Sequence, residues 1–117
     1  MTVDNEPDTV EFVKMLLEKE GFSVVTAFSG KECLDKLKKD GINLVLLDIM
    51  MPDMSGWDVY TQIKKMDHRP KVAFLSAIDV SDERRKVLLK NGIADYITKP
   101  FDNDDLINRV KKMIESK

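Results

Sequence analysis

Several kinds of protein are excluded by what this sequence has little of. With one cysteine, Cys33, no intrachain disulfide can form and no metal site of the paired-cysteine type can be built, so a reducing cytoplasm fits best. The one histidine, His68, stands in a polar turn with Asp67, Arg69 and Pro70, a poor setting for a metal or phosphohistidine role. No apolar run approaches the roughly 18 residues of a membrane span, and the N-terminus lacks the basic, apolar and small-residue regions of a signal peptide. The chain therefore reads as neither embedded nor exported. Nor does one sign of charge dominate: 19 Lys and Arg face 21 Asp and Glu, a net charge of -2. The basic residues are scattered, without the stripe or arginine-rich arm of a nucleic-acid surface, which argues against DNA or RNA binding by this chain alone.

What is present suffices for one core. The 117 residues are 43% apolar and 34% charged, and no linker or low-complexity segment divides them, so a single domain over 1–117 is expected. Such a domain is stable by only about 6 to 17 kcal/mol, leaving little margin for like charges held together.

Along the chain, two kinds of segment alternate. Val10, Val13, Leu16 and Leu17 keep helical spacing between Pro7 and Gly21. Residues 22–26 are short and β-branched, and after Ser29 and Gly30 helical spacing resumes with Cys33, Leu34 and Leu37. Residues 42–47 are almost continuously apolar, as in a strand covered on both faces of a parallel sheet. A loop rich in Met, Pro and Gly leads to a helix with Val59, Tyr60 and Ile63, and 71–75 form the next strand. Ser81 and Asp82 open a helix bearing Val87 and Leu88, 94–98 make a fifth strand, and Asp102 opens a last helix with Leu106, Ile107, Val110 and Ile114. Only residues 1–3 are left for the first strand. This alternation predicts an α/β fold, a doubly wound five-stranded parallel sheet with helices on both faces.

Ligands of such sheets bind beyond the carboxyl ends of the strands. There the sequence puts Asp4, Asn5 and Glu6 after strand one, Asp48 after strand three, Ser76 after strand four and Lys99 after strand five. Two carboxylates within about 5 Å would repel by about 3 kcal/mol at an effective dielectric near 20, which calls for a cation or a raised pKa. An oxygen-only donor set suits a hard ion such as Mg²⁺, and a carboxylate nucleophile, a metal, an ammonium and a hydroxyl are the parts phosphoryl transfer needs. Asp48, ending the most buried strand, is the natural nucleophile. The methionines Met50, Met51 and Met54 read as loop packing, Cys33 as core, and Trp57 as a packing residue.

The segments VDNEPD, LVLLDIMMPDMSGWD, FLSA and DYITKPF, in this order and spacing, closely resemble the receiver domain of two-component response regulators, the CheY-like family, and the likeness covers essentially the whole chain. It implies a strand order of 2-1-3-4-5 and an aspartyl-phosphate switch. Position by position, Asp48 becomes the phosphoacceptor; Asp4, Asn5, Asp48 and the backbone carbonyl of Met50 the Mg²⁺ site; Ser76 and Lys99 the groups that contact the phosphoryl oxygens; and Ser76 with Tyr96 the switch. A cis bond between Lys99 and Pro100 is implied too. The implied partners are a sensor histidine kinase and a downstream target, or an output domain outside this chain. Receivers often pair through their last strand and helices, so a homodimer is admitted, with Asp95, Lys111 and Lys112 as candidate contacts.

One departure stands out: receivers usually carry two adjacent acids where this chain has Asp4 and Asn5, so a weakened metal site is expected. Met50 and Ile78, flanking the path of attacking water, are apolar, which predicts slow loss of the phosphoryl group. Two other functions compete. A phosphatase with an aspartyl nucleophile needs an acid two residues after it, where this chain has Met50. A degenerate receiver would act only as a phosphorylation-independent interaction module.

Overall fold

Ten elements alternate without interruption in the computed structural model, which describes residues 1–39 and 41–115. They are β1 (Thr2–Val3), α1 (Pro7–Glu18), β2 (Thr26–Ala27), α2 (Gly30–Leu37), β3 (Leu44–Leu47), α3 (Gly56–Ile63), β4 (Lys71–Ser76), α4 (Asp82–Lys90), β5 (Asp95–Thr98) and α5 (Asn103–Glu115). All strand pairs are parallel, in the order β2-β1-β3-β4-β5. Strand order therefore reverses between β1 and β3, the two strands that Asp4 and Asp48 directly follow.

The helix starts follow their capping residues. Ser29, Ser55 and Ser81 accept the backbone N–H of Glu32, Asp58 and Arg84, and Asp102 accepts that of Asp105. Proline at the first position of α1 uses a site whose N–H has no helical partner.

Alternation along β3 builds two cores. Leu44 and Leu46 pack with Val13, Leu17, Leu106, Val110 and Met113, on the face covered by α1 and α5. Val45 and Leu47 point the other way, toward Cys33, Leu37, Val59 and Ile63 of α2 and α3. All four β3 residues are buried, which accounts for the continuous apolar run.

Three expectations need correcting. The second strand was expected over 22–26 and is Thr26–Ala27, and the third begins at Leu44 rather than at residue 42. A ladder needs a partner, and β1 offers only Thr2 and Val3, which pair with Thr26 and Ala27 on one side and Leu46 and Leu47 on the other. β-branched sequence alone does not make Phe22 to Val25 a strand. Second, α4 buries none of its residues: Val87 is exposed and only Leu88 packs against the core. Third, on α5 the buried position belongs to Met113, while Ile114 is exposed.

Candidate functional site

Backbone bonds fix the strand-end residues before any side chain is considered. The N–H of Asp4 donates to Ala27 at 3.2 Å, that of Asp48 to Val3 at 3.0 Å, and that of Lys99 to Ser76 at 2.8 Å. Each thus continues a ladder one residue past its strand, and the peptide bond between Lys99 and Pro100 is cis. Asp4, Asp48 and Ser76 are the buried polar residues at this edge.

Lys99 links the acids unequally. Its ammonium lies 2.6 Å from Asp4 Oδ2 and 3.9 Å from Asp48 Oδ2. Asp4 also accepts the Glu6 N–H through Oδ1 at 3.0 Å. Asp48 is left short of compensation: burial raises its carboxyl pKa above the usual aspartate range, the Lys99 charge opposes that, Asp4 adds to it, and hydrogen bonds from Ser76 and the Met50 N–H oppose it. A carboxylate held against desolvation and a like charge is poised to accept a cation or to form a covalent bond.

Ser76 is tied to the loop after β4. Its hydroxyl accepts the Ile78 N–H at 3.2 Å, and the Ile78 carbonyl accepts the hydroxyl of Tyr96. Tyr96 is fully buried with its ring 6.0 Å from Phe74, and burial raises its phenol pKa. Trp57 finds its packing partner in the same ring, at 4.7 Å.

Not every expected residue joins the cluster. Asn5 is exposed, as is Glu6. The methionines divide: Met51 and Met54 pack against the core, but Met50 is 67% exposed, so packing does not account for it as it does for the other two. Among the described residues no three of His, Cys, Asp or Glu converge on one point. Two carboxylates and backbone oxygens remain, a set that fits a hard ion taking one or two acids and completing its shell with water. Asp95 and Lys111, candidates for contacts between copies, are engaged within the chain, Asp95 by Arg109 and Lys111 by Glu20, each at 2.9 Å. Two contacts have no counterpart among the sequence expectations: the Asp53 carboxylate reaches the start of α2, and the Tyr60 hydroxyl donates to the Asn91 carbonyl at 3.1 Å. No spacing marks either contact, because each closes only after the helices have packed.

Comparison with known proteins agrees with this fold. TrcR of Mycobacterium tuberculosis, a transcriptional regulatory protein, is 36% identical over 97% of this chain, which spans only 44% of TrcR. The Francisella response regulator 1452 receiver domain superposes with a TM-score of 0.87 at 33% identity, covering 97% of this chain and 93% of that one. The Thermotoga maritima response regulator TrrA, solved in complex with Mg²⁺ and BeF, gives 0.81 at 36% identity, covering 96% and 95%. No described helix is long and apolar enough to cross a membrane. With residues 1–111 matching the model of the response regulator receiver domain, a family of signalling switches rather than conventional enzymes, the chain belongs to that family.

Proposed function

We propose that residues 1–117 form one receiver that takes a phosphoryl group from the phosphohistidine of a sensor histidine kinase onto Asp48, in the cytoplasm. An Asp48 carboxylate oxygen attacks phosphorus, an O–P bond forms, the P–N bond breaks, and the electron pair leaves with the imidazole. The observation that carries this reading is the unequal sharing of Lys99, which leaves Asp48 buried, under-compensated and next to both an ammonium and a hydroxyl.

Asp4, Asp48, the Met50 carbonyl and, from the exposed side, Asn5 would hold Mg²⁺, which when bound neutralises charge on the phosphoryl oxygens. Lys99 and the Ser76 hydroxyl, both beside Asp48, would contact the phosphoryl oxygens, the ammonium as a cation and the hydroxyl as a donor. Because Ser76 and Tyr96 meet at Ile78, movement of Ser76 toward the phosphoryl group pulls on the carbonyl that Tyr96 holds. That coupling shifts an existing equilibrium at the face of α4, β5 and α5, where a target protein or an output domain binds. Homodimerisation would use the same face. Met50 and Ile78, both apolar and exposed, leave attacking water without a polar guide, so the phosphoryl group is lost slowly.

The phosphatase reading lacks its general acid, since Met50 occupies that place. Intact mass after incubation with acetyl phosphate and Mg²⁺ tests the proposal. The expected result is a stable gain of one phosphoryl group, absent in Asp48→Asn; no gain in the native sequence would favour the phosphorylation-independent module.

A further inference from the structure

We propose that Asp53 is a positioning residue for the metal site: by holding two backbone N–H groups at the start of α2, it fixes the loop that presents the Met50 carbonyl. The inference rests on the receiver reading and goes beyond it, since the resemblance gives Asp53 no role.

The loop between β3 and α3 leaves from Asp48, whose carboxylate accepts the Met50 N–H, and has two further anchors. At its base, the Gly56 N–H donates to the Ile49 carbonyl at 2.7 Å. A Cβ on Gly56 would stand 2.5 Å from the Asp48 carbonyl oxygen and 2.8 Å from Ile49 Cα, so this close approach needs glycine and sets the base against the backbone of the phosphoacceptor itself. At its far side, Asp53 Oδ1 accepts the Gly30 N–H at 3.1 Å and Oδ2 accepts the Lys31 N–H at 3.0 Å.

Those are the first two residues of α2, and the third amide, Glu32, is taken by Ser29 at 3.0 Å. Amides that a helix leaves without partners are thus met partly from within and partly by a residue 22 and 23 positions away. A carboxylate is favoured there by the helix dipole as well. Desolvation acts to raise the Asp53 carboxyl pKa, but the amides of Lys31, Gly30, Met54 and Asp53 itself together outweigh it and the net shift is downward, so the group is ionised throughout the neutral range. Packing follows the polar anchor: a Cβ on Gly30 would fall 2.3 Å from Met54 Cγ, so helix and loop touch closely.

Met50 lies between these anchors with its side chain exposed, so its carbonyl is placed by the backbone on either side. Release of Asp53 frees the far side of the loop while leaving its base in place.

Isothermal titration with Mg²⁺, alongside thermal unfolding and the acetyl phosphate assay, separates positioning from simple stability. Asp53→Ala should weaken Mg²⁺ binding about tenfold, the low end for groups that orient a metal's ligands, and Asp53→Asn, which keeps one acceptor oxygen, should fall between. Ser29→Ala removes a cap from the same helix without touching the loop. It should lower the melting temperature by about as many degrees as Asp53→Ala and leave Mg²⁺ affinity unchanged. At saturating Mg²⁺ every variant should still gain one phosphoryl group. Equal Mg²⁺ affinity in Asp53→Ala and the native sequence would overturn the proposal, as would an equal loss in Ser29→Ala. If the native sequence itself neither binds Mg²⁺ nor accepts a phosphoryl group, the receiver reading fails together with it, a result distinct from failure of Asp53 alone.

Discussion

Two clusters in this molecule set one cation between two carboxylates, with opposite results. At the sheet edge, Lys99 lies 2.6 Å from Asp4 and 3.9 Å from Asp48. On α5, Arg109 lies 2.9 Å from Asp95 and 2.8 Å from Asp105. The guanidinium is a planar fork with several donors: Nε serves Asp105 while one terminal nitrogen serves both oxygens of Asp95. An ammonium is a compact point charge without that planar fork, and Lys99 sits against one partner. The α5 cluster is also partly solvated, whereas Asp4 and Asp48 are buried, where repulsion is screened less. One arrangement satisfies both acids; the other leaves Asp48 available.

That contrast is open to breakage from either side. The largest effect should come from Lys99→Met, which leaves two buried carboxylates without their cation and should cost about 3 kcal/mol in urea unfolding at neutral pH. Next is Asn5→Asp, which adds a third acid at the pocket rim and should tighten Mg²⁺ binding about tenfold in calorimetry, equal to about 1.4 kcal/mol.

Asp48→Asn should act in the opposite direction, stabilising the fold by about 1 kcal/mol at pH 7, as relief of a destabilised functional site commonly does. Its pH dependence carries a definite sign. Because the folded pKa of Asp48 is raised, the folded state holds that proton more tightly, and stability is lost as pH rises through the folded pKa. The advantage of Asn should therefore shrink in acid, where Asp48 is protonated in both states, and be fully present at neutral pH. The smallest effect belongs to Arg109→Lys, which should cost only about 0.5 kcal/mol in the same unfolding assay, because its acids remain partly hydrated.

Sequence showed the clusters unequally. Asp4, Asp48, Ser76 and Lys99 were readable because each follows a β-branched or apolar run, so their meeting at one edge follows from parallel strands alone. Asp105 and Arg109 stand four apart on one helix, yet nothing in the spacing shows that Asp95 joins them. Strand lengths were less legible than strand order, since Phe22 to Val25 has the composition of a strand but meets β1 only where the Val25 carbonyl accepts the Thr2 N–H. Helix starts were legible at Ser81 and Asp102, whose side chains cap locally. Asp53 was not, because its partners lie at the start of another helix. The apolar pair read on α4 held only in part: Leu88 packs against the core, but Val87, with the same helical setting, is exposed because α4 lies too far out to bury it.

The central claim is that Asp48 is under-compensated, and a carbon-detected titration of its carboxyl in the metal-free protein tests it most directly. The account predicts a midpoint above the ordinary aspartate value of about 3.9, shifting downward when Mg²⁺ is added. A midpoint at or below that value without metal would contradict it, since Lys99 would then be satisfying Asp48 as fully as it satisfies Asp4.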